Sequence, residues 1–319
     1  MKARIVVLGL MLWLATWPVC AQSTAVSVEK PAVTTAALPL TAAQQSELET
    51  ALRTRTYKQA ETLLVNEINK NPAAPAQAKL LVTVAGIFFL DNDFLNAAVA
   101  YKKAEKLARL DAPSRFTLAM SYLKLNRPTW AVPELEKLAQ EQPTNALYLY
   151  WLARIDYDAQ KYPEAVAKLN KVIALDPTMM RAYDNLGLCY DHLSDTEGAL
   201  KSYRKAIVLN RVQAKPSPWP LVNLAVLLFS KNELEEAEKL LREALSYAAN
   251  LPQAHYHLGQ VLEKHGKAAE AIAALQQAVA LDPNYPEPHY TLSRIYQKQG
   301  EKEKAQQALA TFQRLKKAK

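Results

Sequence analysis

Cysteine is nearly absent from this chain of 319 residues: Cys20 and Cys189 are the two it has. That count excludes a disulfide framework and a paired-cysteine metal site. Glycine is scarce too, with seven residues, and no sustained apolar–polar alternation runs through the sequence. Both absences argue against a β-sheet protein. No glycine-rich phosphate loop, Gly-x-Ser-x-Gly elbow or His-Glu-x-x-His pair is present. The histidines are His192, His255, His257, His265 and His289. His255 and His257 stand two apart, so on a helix they face different ways. A non-enzymatic protein with no metal and no cofactor is expected. Charge of one sign is also missing in bulk, because the 39 bases and 31 acids interleave along the chain. Only Arg314, Lys316, Lys317 and Lys319 cluster at the end. Cations at a helix C-terminus complement its dipole, so no nucleic-acid partner is expected.

What is present begins with a leader. Lys2 and Arg4 give a positive start, and Ile5 to Trp17 is an apolar run of 13 residues. That run is short for a bilayer span. Pro18 breaks it, and Val19 and Ala21 put small side chains where a signal peptidase reads. Residues 1–21 read as a signal peptide cleaved before Gln22, which predicts an exported, periplasmic protein without a membrane span in the mature chain. An uncleaved signal anchor and lipidation at Cys20 are the competing readings. Cleavage leaves Cys189 as the single cysteine, within a helical pattern beside Leu188 and Tyr190, and a buried inert thiol is expected there. Residues 22–40 mix Ala, Thr, Val, Ser and Pro without period and read as a flexible linker. Thr41 is placed to cap the first helix.

From 41 onward the chain repeats. An alanine recurs at Ala60, Ala97, Ala131, Ala165, Ala199, Ala237, Ala271 and Ala305, mostly at intervals of 34. Leu118, Leu152, Leu186, Leu224, Leu258 and Leu292 keep the same register. A small residue follows each of them, and four units end on a proline, at Pro72, Pro143, Pro177 and Pro283. In the unit 180–213, Tyr183, Leu186, Gly187 and Tyr190 share one helical face. After a polar break, Ala199, Tyr203 and Ala206 define a second helix. A fixed period in this range means stacked helix pairs, each burying its apolar stripe against a neighbour. Two joints are longer: Asn71 to Pro75, and Arg211 to Pro220 with three prolines that forbid continuous helix. The second joint reads equally as a hinge or as a passive insertion.

This pattern resembles the tetratricopeptide repeat family, best at 252–285 with His255, Leu258-Gly259, Leu262, Gly266, Ala271, Leu275, Ala278 and Pro283. Eight units are placed at 41–74, 78–111, 112–145, 146–179, 180–213, 218–251, 252–285 and 286–319. The first departs most, with Glu47 where Leu is expected, and reads as a capping unit or as no true repeat at all. The resemblance implies an all-α, right-handed superhelical α-solenoid over 41–319. It also implies that first helices line a concave groove through repeat positions 2, 5, 6, 9, 12 and 13. His255 and His289 fall where the family places a packing residue. The groove positions hold Tyr150, Trp151 and Arg154, then Arg181, Asp184 and Asn185, then Trp219 and Asn223, and finally Tyr256 and His257. The second and third units are more apolar there, with Val82, Phe89, Phe116 and Met120. Aromatics mixed with Asn, Arg and Asp suit an extended peptide, since amides pair with its backbone and rings accept its side chains. The expected function is a scaffold binding a protein or peptide in this groove. Two readings stand beside it: packing of these residues across adjacent helices, and glycan binding by stacking on Tyr150, Trp151, Trp219 and Tyr256.

Overall fold

The computed structural model describes residues 33, 35, 37–70 and 73–317. The expected leader, residues 22–32 of the expected linker, and Asn71 and Pro72 lie outside them. Among the described residues every regular element is an α-helix, and sixteen follow one another as eight pairs. They are α1 (Ala42–Thr54) with α2 (Tyr57–Asn69), α3 (Ala74–Leu90) with α4 (Phe94–Glu105), and α5 (Ala112–Lys124) with α6 (Pro128–Glu141). Next come α7 (Ala146–Asp158) with α8 (Tyr162–Leu175), and α9 (Met180–His192) with α10 (Thr196–Arg211). The last are α11 (Trp219–Ser230) with α12 (Leu234–Tyr247), α13 (Pro252–Lys264) with α14 (Ala268–Leu281), and α15 (Pro286–Lys298) with α16 (Lys302–Lys317). Each helix packs on the next, and first helices also touch across the stack at α3–α5, α7–α9, α9–α11, α11–α13 and α13–α15. This is an α-solenoid.

One backbone feature fixes the register of all eight pairs. Arg55, Asn92, Asn126, Gln160, Ser194, Asn232, Gly266 and Gly300 each follow or nearly follow a first helix with φ between 55° and 81°. Each is the fifteenth residue of its unit. The residue after it donates its N–H to a carbonyl five back, as Lys161 does to Asp156 at 2.8 Å and Asp195 to Tyr190 at 2.9 Å. That left-handed turn satisfies carbonyls a helix end leaves open and reverses the chain into the second helix. The second helix then closes on the first through the small position. A Cβ on Gly187 would stand 2.5 Å from the ring of Tyr203, so the ring lies on bare backbone. Gly259 meets Leu275 in the same way at 2.6 Å. The repeated alanines are buried, from Ala60 to Ala305. Thr41 caps α1, with its side chain accepting from the Gln44 N–H in a capping box.

Two boundaries differ from expectation. The second unit was expected to start after a joint reaching Pro75, but α3 begins at Ala74. Pro75 sits in its first turn, where a missing N–H costs nothing because that donor has no helical acceptor. At the other joint, α10 runs to Arg211 and α11 starts at Trp219, with Pro220 in its first turn. The loop between them is tied by Asn210, which is fully buried. Its Nδ2 donates to the Ser217 carbonyl at 2.8 Å, and its Oδ1 accepts from the Ser217 N–H at 2.7 Å.

The core has two parts. One runs from Leu48 to Cys189 and the other from Ala199 to Ala305. They divide between the two helices of the fifth unit, with Leu188 and Tyr190 against both. Within the expected linker, Val33, Leu38 and Leu40 pack partly buried on the first part. Among the described residues, no helix is long and apolar enough to cross a membrane.

Candidate functional site

The groove residues divide by what the neighbouring helix does to them. In the fourth and fifth units the inward side chains at positions 5 and 6 are buried, Tyr150 at 3 %, Trp151 at 8 %, Asp184 at 9 % and Asn185 at 4 % exposure, and so is Arg154 at position 9, with 9 %. Asn185 spends its amide inside the wall. Its Nδ2 donates to Tyr150 Oη at 2.9 Å, and its Oδ1 accepts from Arg154 Nη1 at 3.0 Å. The amide that sequence offered to a ligand main chain is thus committed to α7. Arg154 also reaches Asp158 at 3.3 Å and lies over the Tyr157 ring at 5.2 Å. Tyr157 Oη lies 3.3 Å from His192 Nε2, and the His192 ring stacks on Tyr162 at 4.5 Å.

A second link joins α9 to α11. Asn223 donates from Nδ2 to Asp184 Oδ1 at 2.9 Å. Burial pushes the Asp184 carboxyl up to about 6, against the opposing pull of the Asn223 amide and the Arg154 charge. Cys189 lies beneath this layer, and burial raises its thiol to about 12, so it is an inert core sulfur as the sequence suggested.

Other candidates stay open to solvent or stand apart. Arg181 is exposed, and Trp219 and Asn223 are half-buried. Trp151 packs edge-on to Tyr150 at 5.9 Å, and its indole lines a cleft of about 290 Å³ between α5 and α7. The backbones of these two first helices stand farther apart than those of the pairs beyond them, and Phe116 and Tyr148 bridge the gap ring to ring at 5.6 Å. Met120, Leu123 and Arg154 line the same cleft. Tyr256 and His257 form a separate group on α13: Gln260 donates to Tyr256 Oη at 2.8 Å and its Oε1 lies 3.0 Å from His257 Nδ1. Desolvation holds His257 down near 4, a neutral imidazole at physiological pH. His255 and His289 are half-buried rather than core, and His255 Nε2 lies 2.9 Å from the Ala249 carbonyl.

The sequence reading missed two features of this wall. One is the cleft, which follows from the spacing of α5 and α7 and leaves no mark in the residue pattern. The other is the contact of Val33 with Gly86, whose Cβ position would lie 3.1 Å from Val33 Cγ2. Its trace in the sequence was a second small residue directly after Ala85, one more than helix pairing requires.

Stacked pairs with a left-handed turn in every unit define a helical repeat protein. The family model for the tetratricopeptide repeat matches residues 116–179, 152–217, 222–286 and 262–314. The chain belongs to the tetratricopeptide repeat family. It is 26 % identical over 165 residues to the BBSome complex member BBS4 of Bos taurus, covering 51 % of this chain and 31 % of that protein. It is 27 % identical over 146 residues to the Hsp70-Hsp90 organizing protein 1 of Glycine max, covering 46 % of this chain and 25 % of that one. The chain spans no more than about a third of the length of the curated relatives it matches. Among solved structures, it superposes on the APC/C hetero-tetramer Cut9-Hcn1 with a TM-score of 0.61 at 18 % identity, covering 78 % of this chain and 48 % of that one. Yeast Tom70 gives a TM-score of 0.58 at 20 % identity, covering 90 % and 62 %. These likenesses are in fold.

Proposed function

We propose that the protein is a non-catalytic scaffold that holds an extended segment of another protein against the first helices of its fourth to sixth units. Asp184 is the observation that carries this reading. A carboxylate is kept buried in the concave wall with its pKa raised to about 6 and an amide on one oxygen. An apolar side chain would stack α9 on α11 without that desolvation cost. Polar groups retained against stability concentrate at functional surfaces. Beside Asp184 the wall offers Arg181, Trp219 and Asn223 to solvent from helices roughly 10 Å apart. The hydrogen bonds behind them hold that surface in place before any ligand arrives, which lowers the ordering cost of binding. Relatives named for a complex and for organizing Hsp70 and Hsp90 support a role in holding proteins together.

The test is a displayed random-peptide library selected on the full chain. Arg181→Ala and Trp219→Ala should each weaken the selected peptides by about tenfold or more, as anchor truncations do, with unchanged melting temperature. Failure to enrich any peptide, or equal binding by both variants, removes the groove from consideration. A glycan array run in parallel decides against the peptide reading if it alone gives a signal.

The setting we propose is the bacterial cell envelope. The charged start, the short apolar run and the Val19/Ala21 pair support removal of residues 1–21. Amino-terminal sequencing of the native protein should begin at Gln22. A retained Met1, or a lipid on Cys20, overturns this.

A further inference from the structure

The N-terminal end of the concave wall already carries a peptide, and it belongs to the same chain. Gln45 donates from Nε2 to the main-chain oxygen of Thr35 at 3.3 Å, and the same nitrogen is steadied by Glu49 Oε1 at 2.7 Å. Val33 rests on Gly86, its Cγ2 3.1 Å from the position a Cβ would take. Gln45 is the fifth residue of its unit and Gly86 the ninth of the next, both inward positions. Val33, Leu38 and Leu40 are partly buried against the apolar core of the first units.

Two chemical points make this a seat. A side-chain amide that accepts no help from sequence recognises any extended backbone, because every residue presents a carbonyl. Gly86 then supplies selectivity by omission. Ala85 already provides the small residue at the position matching Gly187, so pairing of α3 with α4 does not call for a second one. The bare backbone instead leaves a hollow of the size a β-branched side chain fills. Val82, Phe89 and Phe116 are partly or wholly buried in the same core.

We infer that the stretch bearing Val33, Thr35, Leu38 and Leu40 is a tethered occupant of this end of the groove, and that the seat accepts, from another chain, an apolar peptide bearing a β-branched residue that must first displace it. The inference rests on the concave wall being a peptide-binding surface, but it concerns the first two units, away from Asp184. A short tether holds its segment at a local concentration in the millimolar range. A free peptide of equal intrinsic affinity is therefore excluded until the segment leaves.

The experiment uses a fluorescein-labelled peptide with the sequence of residues 30–40, KPAVTTAALPL, titrated by anisotropy against the full chain. Val33→Asp, which expels the tethered segment, should bind this peptide at least tenfold more tightly than the parent. Adding Gly86→Val should erase the gain. Adding Gln45→Ala, on the surface of α1 and away from the core, should erase it as well, with circular dichroism and melting unchanged. Equal binding by the parent and Val33→Asp, no binding by either, or a gain that survives both second substitutions overturns the inference. None of these outcomes bears on units four to six, which the Arg181 and Trp219 variants test separately.

Discussion

Asp184 shows how one side chain sets stability against use. Its folded pKa of about 6 lies above the ordinary value of 3.8. The folded state therefore holds a proton that the unfolded state has already lost as pH rises from about 4 to about 6. Stability falls across that window and stays lower above it, by roughly 3 kcal/mol for about two pKa units. Asp184→Asn keeps an oxygen for the Asn223 amide and removes the charge. That variant should be more stable than the parent at pH 7.5 by up to about 3 kcal/mol, with the difference closing below about pH 4. Chemical denaturation at the two pH values measures it. Equal stability at pH 7.5 would mean that the carboxylate is solvated or paired in solution. The neighbouring residues explain what sequence could and could not say. Spacing placed Tyr150 and Asn185 on the inward face of neighbouring first helices, and the two side chains meet between α7 and α9. Spacing does not say whether an adjacent helix covers that face. Exposure is decided by the separation of α7 and α9, which no single unit encodes.

At the scale of the helix pair, most of the architecture was legible. A small residue opposite a large ring, repeated with the buried alanine, is a steric rule that survives substitution of everything around it. Gly187 and Tyr203 show why: the ring fills the volume that any side chain on residue 187 would need. Gly187→Leu should force α9 and α10 apart and cost about 1–3 kcal/mol. Its effect should be a lower midpoint in guanidinium unfolding followed by circular dichroism, because this contact also joins the two parts of the core. A midpoint equal to the parent's would show that the register assigned to this unit is wrong. The helix starts were less legible. Proline is read as a break, yet Pro75 and Pro220 stand inside first turns. The rule that proline ends helices and the rule that it suits their beginnings give the same residue two meanings. Only the path of the chain chooses between them.

The whole molecule follows from contacts that stay close in sequence. Among the described residues, each helix touches its successor and at most the next but one. The left-handed turn at the fifteenth residue of every unit repeats this geometry eight times. Such a stack is nearly one-dimensional, and its length adds units without adding long-range closure. The Val33 contact with Gly86 is different. It reaches across 53 positions, past the whole first unit into the second. That distance has a temporal meaning for a chain made from its amino terminus. The helix that bears Gly86 is finished before the fourth unit exists. The tethered segment is therefore expected to take its seat early in synthesis, while most of the wall it will later border has yet to emerge. A competing peptide would then always meet a groove whose first seat was filled before its last was built.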